Sequence, residues 1–246
     1  MDPEVRLDRQ AFDAILDLRR SDAVVDLRER QLEAVAPLSG LLAAHPWQLA
    51  LKRLADIVGS SLGLLLLSPL LLVAAIAVRV SSRGPAFYVS ERVGHDGRPF
   101  RMAKFRSMIR GAHGSRDHHD HLNIHDDGPV FKIRDDPRVT RVGRLLRRCS
   151  IDELPQLWNV LRGQMSLVGP RPPLPDEFLH YGPRERRRLE VKPGLTCIWQ
   201  VSGRSDIDFE TWVDMDIAYI DTWSLRLDAR LLGRTIAAVF TGRGAY

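Results

Sequence analysis

The feature that most constrains this sequence is an uncharged apolar run in its first third. Residues 57–78, IVGSSLGLLLLSPLLLVAAIAV, contain no Asp, Glu, Lys or Arg. As a straight helix the run would extend roughly 33 Å, which is enough to cross the hydrocarbon core of a bilayer. So long an uncharged run is rare in the core of a soluble protein. The segment therefore predicts a helix embedded in a membrane.

A proline near the middle of this run indicates that the helix is broken. Pro69 removes a backbone donor and its ring clashes with the carbonyl of Leu65, which costs about 3 kcal/mol in a helix interior. The preceding residue, Ser68, is biased away from helical geometry, although its hydroxyl can bond a freed backbone group. We therefore predict a break at Ser68 and Pro69.

The flanks of the run are basic on both sides. Lys52 and Arg53 precede it, while Arg79 and Arg83 follow it. A spanning helix usually has its basic residues biased to one side of the membrane. A helix that enters the bilayer, bends at residues 68–69 and leaves on the same face explains the proline and both flanks. A kinked helix that spans the bilayer is the alternative, and hydropathy alone does not exclude it.

The charge balance indicates an anionic partner. Lys and Arg outnumber Asp and Glu by 36 to 31, for a formal net charge of +5. Such a balance favours nucleic acid, a phospholipid surface or a phosphorylated substrate. No nucleic-acid-binding module is visible and only 7% of residues are aromatic, so we expect no nucleic acid partner.

Compartment is indicated by the cysteines and the N-terminus. Cys149 and Cys197 are too few for a disulfide framework, which predicts reduced thiols in a cytoplasmic setting. The first residues, MDPEVRLDRQ, lack the basic segment and apolar core of a signal peptide.

Three segments follow from these patterns: a helical extension over 1–47 of unknown role, the broken apolar helix over 48–80, and a domain over 81–246. Within the last, two β-prone stretches, Phe87–Val89 and Phe100–Phe105, flank the turn signal HDGRP and predict a hairpin. Lys104 and Arg106 alternate with an apolar residue, so we expect them to share one face and meet an anion together.

The rest of the domain is predicted to be mainly helical. A basic helix is expected around Thr140–Arg148, a second helix from near Leu154 to Gly163, and a short buried strand at MSLVG. With the hairpin and an amphipathic C-terminal region, this predicts a mainly helical α+β fold.

Three polar or aromatic clusters have more than one interpretation. The segment 111–129 holds five of the eight histidines, and His121 with His125 lies one helical turn apart; a mobile polar loop is favoured over a metal site because Gly, Asn and Asp punctuate it. The arginines of residues 184–188 fit a solvated basic face or a surface facing anionic lipid. Trp212, Tyr219 and Trp223 fit either the membrane interface or the core.

Two adjacent acids stand out in CSIDELPQLWN, residues 149–159. Ser150 with Glu153 three residues later matches a capping box, so the simplest interpretation is a helix start. Pro155 weakens that interpretation, because as the fifth helical residue it would break the first turn. A helix that starts at Asp152 makes the proline harmless and places both acids at the helix mouth.

Three arginines provide the acids with a candidate substrate. Arg147 lies just upstream, Arg171 lies in Gly-Pro-Arg-Pro, and Arg204 lies in Ser-Gly-Arg. Rigid neighbours fix where such guanidinium groups point, and a fixed fork suits phosphate. Of two adjacent carboxylates, one can attack phosphorus while the other holds a hard cation such as Mg²⁺. On chemistry alone, a helix cap and a reaction centre both remain open.

Residues from about 48 to 246 resemble the bacterial sugar transferases, also called polyprenyl glycosylphosphotransferases or monotopic phosphoglycosyl transferases. The matching text, in order, is KRLADIV…SPLLL, RVGHDGRPFRMAKFRSM, LLRRCSIDELPQLWNVLRGQMSLVGPRPP, VKPGLTCIWQVSGRS and DTWSLRLDARLLGRT. One departure is Cys197, which stands where a glycine is common. The first 47 residues lie outside the resemblance.

The resemblance implies a reaction and a place for it. A sugar 1-phosphate would pass from a UDP-sugar to undecaprenyl phosphate, releasing UMP, as the initiating step of a surface glycan. The domain over 81–246 would be catalytic and lie on the cytoplasmic face of the bacterial inner membrane. Re-entrant and amphipathic interfacial helices would make the protein monotopic, in contact with anionic lipids. Oligomeric state and the sugar transferred are left open.

The resemblance also implies roles for individual residues. Asp152 would be the nucleophile that forms a phosphosugar-aspartyl intermediate, and Glu153 would bind Mg²⁺. The remaining roles fall into three sets: phosphate binding by Arg147, Arg171, Arg204 and Lys104; the break in the re-entrant helix at Ser68 and Pro69; and anchoring at lipid headgroups by Lys52 and Arg53.

Two other functions remain as alternatives. A membrane-bound, metal-dependent nucleotide-sugar diphosphatase would use the same acids and release free sugar phosphate without a lipid acceptor. A non-catalytic scaffold would use its basic face for lipid and residues 1–47 for a partner, and it would tolerate Ala at Asp152 and Glu153.

Overall fold

The computed structural model of the chain describes residues 44–112, 123, 129–130, 133, 135–202 and 207–241. Its helices are α1 (Pro46–Leu66), α2 (Ser68–Ser81), α3 (Arg141–Arg148), α4 (Leu157–Leu161), α5 (Pro175–Leu179), α6 (Pro183–Arg186), α7 (Ile198–Ser202), α8 (Phe209–Asp221) and α9 (Leu225–Thr241). Its strands are β1 (Phe87–Val93), β2 (Pro99–Phe105), β3 (Ser166–Val168) and β4 (Gly194–Thr196). Short 3₁₀ segments lie at His95–Gly97, Ile151–Gln156 and Arg187–Leu189. The prediction of a mainly helical α+β fold with a small sheet is confirmed.

The apolar run forms two helices that meet at an angle of 62°. Helix α1 ends before Leu67, and Pro69 lies in the first turn of α2, where its missing N–H costs no helical hydrogen bond. The Ser68 hydroxyl donates to the Leu65 carbonyl at 2.7 Å, which satisfies one acceptor that the break frees. The predicted break at residues 68–69 is therefore present.

The bent pair exposes large apolar side chains around the break. Leu65, Leu66 and Leu72 are 69%, 73% and 63% exposed. Among the described helices, none is by itself both long and apolar enough to cross a bilayer, whereas α1 and α2 meet that criterion as a pair.

The cations at the start of α1 bind protein groups, which corrects the expectation that they contact lipid headgroups. The Lys52 Nζ lies 2.6 Å from Asp228 Oδ2 and donates to the Val168 carbonyl, and its side chain is only 11% exposed. Arg53 donates to the Val160 and Leu161 carbonyls, both at 2.7 Å. These partners lie more than 100 residues away in sequence, so the local pattern of basic residues did not reveal them.

The predicted hairpin is present. Strands β1 and β2 pair antiparallel, with Tyr88 opposite Lys104 and Arg92 opposite Phe100. Lys104 and Arg106 both line one cavity, but Arg106 is buried and donates to carbonyls at the end of α2, including Val78 and Ser82. Lys104 alone reaches a carboxylate.

A second sheet joins the predicted MSLVG strand to a later segment. Strand β3 pairs in parallel with β4, with Ser166 opposite Gly194. Behind it, α8 and α9 pack their apolar faces into the largest core cluster, which includes Tyr219 and Trp223 at 2% and 4% exposure. Trp212 is partly buried against the same cluster, so these three aromatic residues belong to the core.

The arginines of residues 184–188 all bind protein groups, and only Arg188 among them is buried. Arg184 pairs with Asp214, Arg187 with Asp221 at 2.6 Å, and Arg188 with Asp216 at 2.8 Å. Arg186 donates to the Tyr181 carbonyl. All three acids come from α8, and of these pairs only Arg188 with Asp216 is buried.

Several sequence-based expectations fall outside the described residues. These are the N-terminal extension up to residue 43, the histidines of segment 111–129, and Arg204. Within the described part, Cys149 and Cys197 are free thiols, as predicted.

Candidate active site

The acid pair lies in a 3₁₀ turn rather than at the start of an α-helix. Ser150 adopts a left-handed backbone conformation with φ of 55°, and its side chain makes no capping bond. The capping box is therefore absent. The 3₁₀ segment runs from Ile151 to Gln156 with Pro155 inside it, and regular helix begins only at Leu157, which corrects the predicted helix start. The proline accounts for the difference because it cannot donate to an α-helical ladder.

Glu153 is held by two cations from different parts of the chain. Its Oε1 accepts from Lys104 Nζ at 2.7 Å and from Arg171 Nη1 at 3.1 Å. Burial alone would raise the pKa of Glu153, but the charges and hydrogen bonds of Lys104 and Arg171 outweigh it and hold that pKa well below its ordinary value. Glu153 is therefore a fixed anion, and its Oε2 is not used by either contact.

Asp152 has the opposite environment. It is 8% exposed, and no described residue donates a hydrogen bond to its carboxylate. Burial, and then the negative charge of Glu153, raises its pKa, although Lys104, Arg147 and Arg171 partly oppose the shift. Buried carboxylates normally have hydrogen-bond partners, so one without them in a cavity is a candidate for chemistry.

Arg147 brings a further positive charge to Asp152 from the last turn of α3. Its Nε donates to the Ser107 hydroxyl at 2.9 Å. Burial lowers its pKa, an effect that Asp152 partly offsets. Helix α3 can approach this closely because Gly143 has no side chain; a Cβ there would collide with the Ser107 backbone. The predicted helix over 140–148 thus places Arg147 at the site.

These groups line one cavity of about 930 Å³. Five of the sequence-predicted residues meet there: Lys104, Arg147, Asp152, Glu153 and Arg171. The structure does not bring Lys52, Arg53, Ser68 or Pro69 into this cavity.

Arg92 also lines the cavity and was missed by the sequence analysis. It donates to the Pro172 carbonyl at 3.1 Å, and burial, with the nearby charge of Arg171, lowers its pKa to about 10. The hairpin register could have shown that Arg92 is near Lys104. Tyr88 pairs with Lys104, and residues two apart in a strand share a face. Arg92 lies four positions beyond Tyr88 and therefore on the face of Lys104.

The candidate oxygen ligands for a hard cation are the carboxylates of Asp152 and Glu153. Within the described part of the chain, no group of three or more His, Cys, Asp or Glu side chains is arranged to hold a metal ion. The Asp152 carboxylate and Glu153 Oε2 remain as donors. Mg²⁺ is commonly held by one or two carboxylates together with substrate phosphates and water, so this donor set fits a metal that arrives with a phosphorylated substrate.

Comparison with known proteins identifies the family of the chain. Residues 47–242 match the model of a family described as "Bacterial sugar transferase". The galactosyl transferase CpsE of Streptococcus agalactiae is 44% identical over 79% of this chain, which spans 43% of that protein. The exopolysaccharide production protein ExoY of Rhizobium meliloti is 40% identical over 87% of this chain and 92% of its own length.

A third relative covers almost the whole sequence. The UDP-glucose:undecaprenyl-phosphate glucose-1-phosphate transferase of Caulobacter vibrioides is 39% identical over 92% of this chain and 85% of its own length. The chain thus spans less than half of CpsE but most of the other two relatives. The family match covers the bent helix pair, the hairpin and the acid pair together, and we conclude that this chain belongs to the bacterial sugar transferase family.

Proposed function

We propose that this protein transfers a sugar 1-phosphate from a UDP-sugar to undecaprenyl phosphate and so initiates synthesis of a surface polysaccharide. The observation that carries the proposal is the contrast within the acid pair. Asp152 is buried without a hydrogen-bond partner among the described residues, whereas Glu153 beside it is fixed by Lys104 and Arg171. The names of the ExoY and Caulobacter relatives support the pathway and the lipid acceptor.

Asp152 is the nucleophile of the proposed reaction. Its carboxylate oxygen attacks the sugar-bearing phosphorus of the donor, and the bond between that phosphorus and the bridging oxygen breaks, so that UMP leaves. Burial destabilises the anion of Asp152, and a destabilised anion is a stronger nucleophile once ionised. The result is a phosphosugar linked to the Asp152 side chain.

The second half of the reaction regenerates the acid. An oxygen of undecaprenyl phosphate attacks the same phosphorus, and the bond to the Asp152 oxygen breaks. The products are undecaprenyl-diphospho-sugar and free enzyme, so the kinetics follow a ping-pong pattern. Arg147 precedes the acid pair in the sequence and Arg171 follows it, and both line the cavity. In the proposed reaction their guanidinium groups neutralise the phosphate oxygens.

Glu153 is the residue that would hold Mg²⁺, while Asp152 attacks. When bound, the metal ion supplies neutralisation of the diphosphate charge. Lys104 and Arg171 keep Glu153 ionised and in place, so the residue is ready to bind a cation at the pH of the cell. The direct test is dependence of turnover on added Mg²⁺ after treatment with a chelator.

The bent pair of α1 and α2 is proposed to enter one leaflet and leave on the same face, which makes the protein monotopic. Exposed leucines at the break would contact acyl chains, and burial of such side chains in lipid is favourable. The catalytic domain then lies on the cytoplasmic face of the inner membrane, where soluble UDP-sugar and lipid phosphate meet. Anionic lipids would contact the surrounding surface, and a homo-oligomer is compatible with this arrangement.

The test is a UMP-release assay over a panel of UDP-sugars, with and without undecaprenyl phosphate. We expect one or a few donors to give sustained UMP release and a lipid-linked product only when the acceptor is present, and at most one UMP per enzyme molecule when it is absent. Sugar phosphate released without acceptor would identify a nucleotide-sugar diphosphatase instead. Absence of UMP with every donor, in protein that is folded, would favour the scaffold.

A further inference from the structure

Arg171 is held at two points, and only one of them is at the acid pair. Its guanidinium donates to Glu153, while its backbone carbonyl accepts from Arg188 Nη2 at 3.2 Å. Arg188 lies in the 3₁₀ segment after α6 and its side chain is 3% exposed. A buried side chain thus binds the backbone of a residue in the cavity.

Every guanidinium nitrogen of Arg188 donates a hydrogen bond. The Nε binds Asp216 Oδ2 on α8 at 2.8 Å, the Nη1 binds the Tyr181 hydroxyl at 2.6 Å, and the Nη2 binds Arg171. Asp216 is 1% exposed, and burial raises its pKa to about 6 against the opposing charge of Arg188. Three separate elements therefore meet at one arginine.

The loop that Arg188 contacts is held by hydrogen bonds from residues outside it. Residues 169–174 read GPRPPL, and the three prolines have no N–H to donate. Four successive carbonyls of this loop are bound from outside it: Pro170 by the Gly194 amide, Arg171 by Arg188, Pro172 by Arg92 and Pro173 by the Val93 amide. The loop conformation is therefore imposed by its surroundings.

Stability alone is a weak reason for such a buried pair. Burying two charges costs desolvation free energy that the ion pair seldom recovers, and well-packed apolar residues are often as stable or more so. What the pair supplies is a fixed direction, because the planar guanidinium presents its donors in a rigid fork. One of those donors binds the Arg171 carbonyl, and the Arg171 side chain binds Glu153.

We propose that Arg188, braced by Asp216 and Tyr181, is a positioning residue that fixes the 169–174 loop so that Arg171 meets Glu153. The inference deepens the proposed function and its kinetic part rests on it. Arg188 acts through Arg171 and needs no contact with substrate in this role.

The first test is hydrogen exchange of the loop, which requires no turnover. The matched pair is Arg188→Gln and Arg187→Gln, because Arg187 is the adjacent residue but pairs with Asp221 at the surface. We expect severalfold faster exchange in peptides spanning 169–174 for Arg188→Gln and no change for Arg187→Gln. Equal exchange in both variants would overturn the proposal.

The second test is a double-mutant cycle on kcat/KM for the UDP-sugar. Loss of an orienting side chain commonly costs about 10- to 100-fold, so we expect that loss for Arg188→Gln. If Arg188 acts through Arg171, the double variant Arg188→Gln with Arg171→Gln loses no more than Arg171→Gln alone. Additive losses would show that Arg188 acts independently and would overturn the proposal. An inactive wild-type protein would instead contradict the proposed function, while the exchange experiment would still decide the role of Arg188.

A milder variant covers the case in which Arg188→Gln does not fold. Tyr181→Phe removes only the hydroxyl that Arg188 binds and keeps the ring in the core. We expect the same direction in both measurements with a smaller, severalfold change. Asp216→Asn, which alters the other partner of Arg188, is measured in the same way. The proposal would be overturned if both variants fold and neither changes the exchange of the loop or kcat/KM.

Discussion

Two buried charged clusters in this protein each pair a lysine with a carboxylate, but they have different roles. The active-site cluster joins Asp152, Glu153 and Lys104, while the anchor cluster joins Lys52, Asp228 and the Tyr219 hydroxyl. In the anchor cluster both oxygens of Asp228 accept hydrogen bonds, one from Lys52 and one from Tyr219. In the active-site cluster, Asp152 lacks such a donor among the described residues and borders a cavity.

The difference separates architecture from chemistry. A fully bonded buried carboxylate holds elements together, and here it joins α1 to α9. A carboxylate that is buried but not bonded is costly unless a ligand completes its environment. Asp152 and Asp228 are the same residue type and are both 8% exposed, so their hydrogen bonds distinguish them.

The same substitution in each cluster tests this contrast with the largest expected effect. Asp152→Asn removes the nucleophile, so we expect turnover to fall by about 10⁴-fold or more and the labelled enzyme intermediate to disappear. We expect its thermal unfolding midpoint to stay the same or to rise, because the variant removes a destabilised charge. UMP release and a melting curve measure the two quantities.

Asp228→Asn is the matched control for that experiment. It should keep the chemical step and lower the melting temperature, because Lys52 loses its carboxylate partner. Normal turnover in Asp152→Asn would contradict the proposed mechanism. A stable and inactive Asp228→Asn would contradict the distinction between the clusters.

The two lysines allow a second matched test with a smaller effect. Lys52→Met leaves Asp228 buried without its cation, which we expect to cost about 3–5 kcal/mol of unfolding free energy. Lys104→Met leaves Glu153 bound to Arg171, so its cost in stability should be smaller while turnover falls by about a hundredfold. Denaturant unfolding and initial rates are measured on both variants in the same detergent. A larger loss of stability in Lys104→Met, with a larger loss of turnover in Lys52→Met, would contradict the roles given to the two clusters.

The smallest expected effect is in the pH dependence of the rate. Asp152 must be ionised to attack, and its pKa is raised, so kcat/KM should begin to fall at a higher pH than an ordinary aspartate would give. Below that pKa the rate should drop about tenfold for each pH unit. Melting curves over the same range separate this titration from unfolding, and a flat rate down to about pH 4 would be contrary to the assignment.

Sequence analysis predicted the elements whose causes are local. The hairpin over 87–105 follows from a turn signal between two β-prone stretches, and the break at Ser68 and Pro69 follows from the chemistry of one proline. Helix α3 follows from Thr140, whose side chain caps it by accepting from the Gly143 amide. Each of these depends on residues within a few positions of one another.

The errors came from partners far apart in sequence. Lys52 was expected at lipid headgroups, but Asp228 lies 176 positions away and binds it inside the protein. Arg188 was grouped with a surface cluster because Asp216, 28 positions on, could not be identified as its partner. Arg92 was missed because only the hairpin register puts it on the face of Lys104. The acid pair was found because both members are adjacent.

The anchor cluster also sets an order of events during synthesis. The three groups that Lys52 Nζ contacts lie 116, 167 and 176 residues after it. At about 5–20 residues per second, a ribosome needs roughly 10–35 s after Lys52 to reach Asp228. Until Asp228 is made, Lys52 lacks its carboxylate partner, although Val168 and Tyr219 are synthesised earlier. The ion pair between α1 and α9 therefore forms only once the first turn of α9 has been made, so truncation before Asp228 should leave α1 held by its earlier partners, such as those of Arg53, without this ion pair.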